Sequence, residues 1–166
     1  IDFFKKINDG YGHAIGDSVL KTVAQGVREL LRRSDVCGRY GGEEFVVIAP
    51  ELNAEGAQVL AERIRQHVAL MRIGAGVNEA GEPREVRVSV SIGVAAFDHG
   101  ADAPIAELMH RADAALYQAK GGGRNRVVLA AAPGDAPLPV IAAAPAPLAP
   151  QLSGPIAVAP LGRPPV

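Results

Sequence analysis

An α+β fold, with helices packed on an antiparallel or mixed sheet, is predicted by two hydrophobic periods and by their order along the chain. Apolar residues recur at three and four residues in three segments, the mark of amphipathic helices. They alternate strictly from Val86 to Val94, the mark of a half-buried strand. The resulting order is helix, strand, strand, helix, strand, helix, strand, which interleaves the two kinds of element and sets helices against a sheet.

The opening IDFFKK reads as the exit of a strand entering a helix, with Asp2 expected as N-cap of a short helix from Phe3 to Ile7. Val19, Leu20, Val23, Val27, Leu30 and Leu31 line one face of a helix from about Gly16 to Arg33. Two short strands follow, Cys37 to Tyr40 and Phe45 to Ala49. The GGEE between them is read as a tight turn in which Gly41 and Gly42 supply positive φ. Asn53 is the expected N-cap of the next helix, whose inner face carries Ala57, Leu60, Ala61, Ile64 and Val68. Val86, Val88, Val90, Ile92 and Val94 then form one strand, preceded by a turn at Asn78 to Pro83 and a less sharply defined partner strand. The last helix starts at Asp102 or Ala103 ahead of Pro104 and packs Ile105, Leu108, Met109, Ala112, Ala115, Leu116 and Ala119. It stops at Gly121 to Gly123, and a strand from Arg126 to Leu129 completes a domain over residues 1–129. Residues 130–166 are rich in Ala and Pro and almost free of charge, so a disordered or polyproline-like tail is expected there.

With 166 residues, the chain can bury a sizeable core as one domain, two small ones being the limit. A formal net charge of −1 gives no overall pull toward nucleic acid or an anionic membrane. One cysteine, Cys37, excludes an internal disulfide framework and fits a reducing compartment, so a cytoplasmic location is expected. No apolar run approaches the roughly 20 residues of a membrane span, and no secretory leader opens the chain.

Adjacent Glu43 and Glu44 beside a turn repel each other and are poor strand formers, a conflict that a nearby cation would remove. Asn8 and Asp17 offer an amide and a carboxylate that match a purine edge, although each residue also suits a turn or a cap. Lys120 and Arg124 flank a glycine triplet and suit phosphate, but equally a helix C-terminus. Arg32, Arg33 and Asp35 read from their own sequence as a solvated helix end. The four histidines, His13, His67, His99 and His110, show no metal-ligand spacing, and no G-x-x-x-x-G-K-[ST] loop is present.

Four segments in this order, DFFKKINDGYGHAIGD, RYGGEEF, VSVSIGVA and ADAALYQAKGGGRN, together resemble the GGDEF-domain diguanylate cyclases. The resemblance runs from Ile1 to about Val128 and is most like the domain at the C-terminus of response-regulator cyclases. It implies a sheet similar to the nucleotidyl-cyclase and polymerase palm, ferredoxin-like in plan. The implied reaction condenses two GTP molecules into cyclic di-GMP with release of two pyrophosphates, each protomer of a homodimer presenting one GTP.

By the same resemblance, Glu43 would ligate Mg²⁺, with Mn²⁺ as an alternative, and the main-chain carbonyl of Ile1 would join the metal shell. Glu44 would hold or tune a metal or the attacking 3′-hydroxyl. Gly41 and Gly42 would let the triphosphate approach the backbone, Asn8 and Asp17 would read guanine, and Lys5, Lys120 and Arg124 would bind phosphate. Arg32 and Asp35 match an RxxD inhibitory site for cyclic di-GMP, and Arg63 matches a secondary arginine of that site. A sensory or receiver domain is expected ahead of this one, with no nucleic acid and no membrane contact by this segment.

The family places an aspartate, a principal metal ligand on a central strand, immediately before the residue matching Ile1. That residue and its strand are absent from the chain, from which inactivity and poor stability of this stretch alone are expected. A second reading keeps the fold but makes it a catalytically silent module sensing cyclic di-GMP or GTP. A third, a generic ferredoxin-like structural domain with a coincidental turn, leaves the four ordered motifs unexplained.

Overall fold

A computed structural model describes residues 1–78, 80–97 and 104–131. Among them the order is α1 (Phe4–Tyr11), α2 (His13–Leu30), β1 (Val36–Arg39), β2 (Phe45–Ile48), α3 (Ala54–Leu70), β3 (Ile73–Val77), β4 (Pro83–Val86), β5 (Ile92–Val94), α4 (Ile105–Gly121) and β6 (Val127–Leu129). The expected tail, apart from its first two residues, and the expected helix start at Asp102 or Ala103 lie outside the described residues, as does His99.

The main core is built by α2 and α3 against β3 and β4. Val19, Leu20, Val23 and Val27 of α2 meet Ile64 and Val68 of α3, with Phe4 and Ile7 of α1 closing one end. Val19 and Val68 are fully buried, and each such side chain contributes about 1.5–3 kcal/mol. The helix expected from Gly16 to Arg33 is longer at its start and shorter at its end. It begins after Gly12, whose φ of 83° breaks α1 from α2, and stops where Leu31 turns extended and its amide returns to the Arg28 carbonyl. As expected, Asn53 caps α3, its side-chain oxygen accepting from the Gly56 amide at 2.8 Å.

Instead of one continuous sheet, the described residues form three two-stranded ladders: β1 with β2 antiparallel, β3 with β4 antiparallel, and β5 with β6 parallel. The single strand expected from Val86 to Val94 is therefore a correction. Burial still alternates through it, with Val86, Val88 and Val90 inside and Arg87 outside. Alternation reports which side a residue faces, whereas a strand also needs a hydrogen-bonded neighbour. Residues 87–91 have no paired strand among the described residues, and the Asp2 amide donates to the Ser89 carbonyl there.

On β5, Gly93 lets α4 come into backbone contact, since a Cβ there would lie 2.1 Å from the Ala112 carbonyl oxygen. The buried face of α4 is small, Ala115 and Ala119 packing with Val128 of β6. Ile105, expected on that face, is 67% exposed, because it stands at the helix's first position ahead of the turns that meet β5. Pro104 is the N-cap of α4 rather than its first helical residue. At the other end the helix stops in the glycine triplet, as expected.

Candidate functional site

Residues 40–44 join β1 to β2 in a loop closed by its own backbone: the Tyr40 and Gly41 amides both donate to the Glu44 carbonyl, at 2.8 and 3.2 Å. The Arg39 guanidinium braces the loop by donating to the carbonyls of Gly41 and Gly42. Neither glycine has a positive φ, which corrects the expectation of a left-handed tight turn. A five-residue loop needs no primed turn, so the conformational reason for glycine does not apply. Nor do neighbouring residues crowd the loop: a Cβ on Gly42 would meet nothing within 4 Å, and one on Gly41 only the Glu44 side chain. Both positions thus leave backbone open to whatever approaches this edge.

The loop is tied to two distant segments. Its Glu43 carbonyl accepts from the Ile1 main-chain nitrogen at 2.9 Å, and the Glu44 carboxylate pairs with Lys120 of α4 at 3.2 Å. Ile1, Glu43, Glu44 and Lys120 therefore share one edge. The repulsion between adjacent glutamates is relieved at Glu44 by Lys120, while the Glu43 carboxylate has no hydrogen-bond or ion-pair partner among the described residues. The described residues contain no cluster of three or more His, Cys, Asp or Glu that could hold a metal unaided. Two adjacent carboxylates with a main-chain carbonyl do suit magnesium, which is commonly held by one or two carboxylates and completed by substrate phosphates and water.

Asn8 lies against Gly16, where a Cβ would fall 1.9 Å from the Asn8 Oδ1. That oxygen is buried and has no partner within the described residues. Asp17, the next residue along α2 after Gly16, is exposed.

Of the expected phosphate cations, Arg124 stacks over the Phe3 ring, 4.5 Å from its centroid, just beyond the end of α4 that carries Lys120. Lys5 instead projects from α1 into an exposed ion pair with Asp9 at 2.8 Å.

The RxxD residues sit apart from this edge. Arg32 and Asp35 close a turn after α2, the Asp35 carboxylate accepting from the Arg32 amide at 2.8 Å, and they line an open groove with Arg28, Leu31 and Cys37. Burial pushes the Cys37 thiol up, partly opposed by Arg28, so it stays protonated. Arg63 reaches from α3 to the Leu30 carbonyl, two residues before Arg32.

Asp2 is a further correction. The short helix starts at Phe4 with Phe3 in the cap position, and no side chain caps it. Asp2 is buried and accepts hydrogen bonds from Ser89 Oγ, Ser91 Oγ and the Asn125 amide at 2.7, 2.6 and 3.0 Å. Its three partners lie 87 to 123 residues away, and no local pattern points to them. Asn125, and Arg65 of α3 which donates to it, escape sequence reasoning for the same reason.

The model of the family described as diguanylate cyclase, GGDEF domain, matches residues 1–126. Diguanylate cyclase A of Treponema denticola is 43% identical over 129 residues, 78% of this chain and 33% of that protein. Response regulator PleD of Caulobacter vibrioides is 48% identical over 128 residues, 77% of this chain and 27% of that protein. The chain thus spans about a third or less of the length of these curated relatives. Among solved structures, the active GGEEF domain of a diguanylate cyclase from Vibrio cholerae superposes with a TM-score of 0.68 at 38% identity, covering 80% of each chain. The GGDEF domain of DgcB from Caulobacter crescentus, in complex with c-di-GMP, gives 0.68 at 37% identity, covering 78% of this chain and 70% of that one. A glutamate hairpin beside Ile1 and Lys120, a fold shared with these domains and a family match over nearly all the described residues lead to one conclusion: the chain belongs to the GGDEF-domain family of diguanylate cyclases.

Proposed function

We propose that this domain condenses two GTP molecules into cyclic di-GMP, releasing two pyrophosphates, with one GTP held by each protomer of a homodimer. The observation that supports the reading is the meeting of the GGEE loop with Ile1 and Lys120, which brings two glutamates, the main chain at Ile1 and an ammonium group to one edge. Glu43 and the Ile1 carbonyl would hold Mg²⁺ or Mn²⁺, with Glu44 beside them. When bound, the metal supplies charge that offsets the build-up on the phosphate oxygens.

The chain's own residues do the rest. Gly41 and Gly42 give the triphosphate room against the backbone, and Lys120 and Arg124 bind its oxygens, with Lys5 leaving Asp9 to join them. A triphosphate that draws Lys120 away frees the Glu44 carboxylate to accept a hydrogen bond from the attacking 3′-hydroxyl of the facing GTP. The unpartnered Asn8 Oδ1 and the exposed Asp17 accept the N–H groups of guanine's Watson–Crick edge. In-line approach of two such GTP molecules requires two protomers face to face.

Arg32, Asp35 and Arg63 form the site at which accumulated product restrains the enzyme, since guanidinium groups can clamp phosphate or the Hoogsteen edge of guanine. A domain preceding this one, sensory or receiver in kind, would control the encounter of protomers. The test is the stoichiometry of turnover by the full-length gene product with GTP and Mg²⁺. Two pyrophosphates per cyclic di-GMP are expected; binding of GTP or cyclic di-GMP without turnover would make the domain a sensor instead.

A further inference from the structure

We infer that Asp2 and Arg65 are positioning residues that clamp the Arg124–Asn125 turn and so aim the Arg124 guanidinium at the substrate's phosphates. The inference rests on the reading of Arg124 as a triphosphate-binding cation.

Arg124 and Asn125 both occupy left-handed backbone, with φ of 64° and 45°, a conformation that Asn tolerates readily but that Arg holds only when its surroundings dictate it. Here the surroundings do. The Asn125 amide donates to the Asp2 carboxylate at 3.0 Å, and its side-chain oxygen accepts from Arg65 at 2.7 Å. Asn125 is itself buried between them. Each clamping residue is held in turn: Asp2 by Ser89 and Ser91, Arg65 by a two-point pair with Glu62. Phe3, the residue after Asp2, is also left-handed at φ 55° and lies under the Arg124 guanidinium. One buried carboxylate therefore bonds the turn that carries Arg124 and stands one residue before the ring on which Arg124 stacks. None of the Asp2 oxygens is directed at the glutamate edge by any contact in the described residues; all its bonds serve Ser89, Ser91 and Asn125.

The test is calorimetric binding of α,β-methylene-GTP and of GMP to the full-length gene product, comparing wild type with D2N, R65A, R124A and the pairwise combinations with R124A. Asp2→Asn keeps the shape and removes an acceptor. Both D2N and R65A should weaken the triphosphate analogue about 10-fold or more, the scale of a lost hydrogen bond to a charged group. GMP binding should stay within about 2-fold, and adding either change to R124A should cost nothing further. If D2N does not fold, R65A decides by the same criteria. Equal loss of both ligands, unchanged analogue binding, or additivity with R124A would overturn the clamp. A wild type that binds neither ligand would overturn the proposed function and the clamp together.

Discussion

At Lys120 the same ammonium group serves two partners in turn, Glu44 in the structure and phosphate in the proposed complex. Its removal should therefore hurt substrate binding more than folding, because the Glu44 pair is partly exposed and contributes little. Lys120→Ala is expected to raise the KM for GTP by roughly 10- to 100-fold, as for a lost charge-assisted hydrogen bond. Steady-state kinetics beside a urea melt would check both halves, and an unchanged KM would remove Lys120 from the phosphate site. Asn8 makes a different kind of prediction. Its buried, unpartnered oxygen favours a base that donates hydrogens, so Asn8→Ala should lower the preference for GTP over ATP by about 10- to 100-fold. Competition binding measures that ratio directly, and an unaltered preference would exclude Asn8 from base reading.

At the level of elements, α4 is held to β5 by close approach at Gly93 more than by a large apolar face. A Cβ there would collide with helix backbone, which cannot rotate aside, so Gly93→Ala should destabilise by at least about 1–3 kcal/mol in a urea titration. The Glu62–Arg65 pair on α3 adds a pH dependence. The hydrogen bond from Arg65 holds the Glu62 carboxyl below its usual range, so its contribution is complete above the unfolded value of about 4.3 and is lost as pH falls through the lower folded value. With Glu62 partly exposed, the amount is below about 1 kcal/mol. Stability of wild type and Glu62→Gln should differ by a constant from pH 7 to about 5 and converge at lower pH; a difference that grows on acidification would contradict the pairing.

Helices were legible from sequence because a 3.6-residue period and an Asn53 cap are local facts. The unpaired stretch at 87–91 was not, since pairing depends on residues remote in sequence. The same distinction divides the site. Glu43, Glu44, Asn8, Asp17, Lys120 and Arg124 stand in contiguous motifs, whereas the bonds of Asp2 and Arg65 to Asn125 span 123 and 60 residues.

Across the whole molecule, the glutamate edge and the Arg32–Asp35 groove are separate, and α3 touches the surroundings of both, through Arg63 at Leu30 and Arg65 at Asn125. Separate sites allow inhibition without competition for substrate. Arg32→Ala should keep the initial rate and abolish the slowing as cyclic di-GMP accumulates; an unchanged progress curve would argue against that groove as the inhibitory site. Among the described residues no helix is long and apolar enough to cross a membrane, and the net charge of −1 gives no overall attraction for polyanions. The central claim is that the GGEE edge makes cyclic di-GMP. Mass spectrometry of the products formed from GTP and Mg²⁺ by the full-length gene product, beside its Glu43→Gln variant, tests it most directly. Cyclic di-GMP from the first and none from the second is the result expected; equal product from both, or none from a folded dimeric wild type, would contradict it.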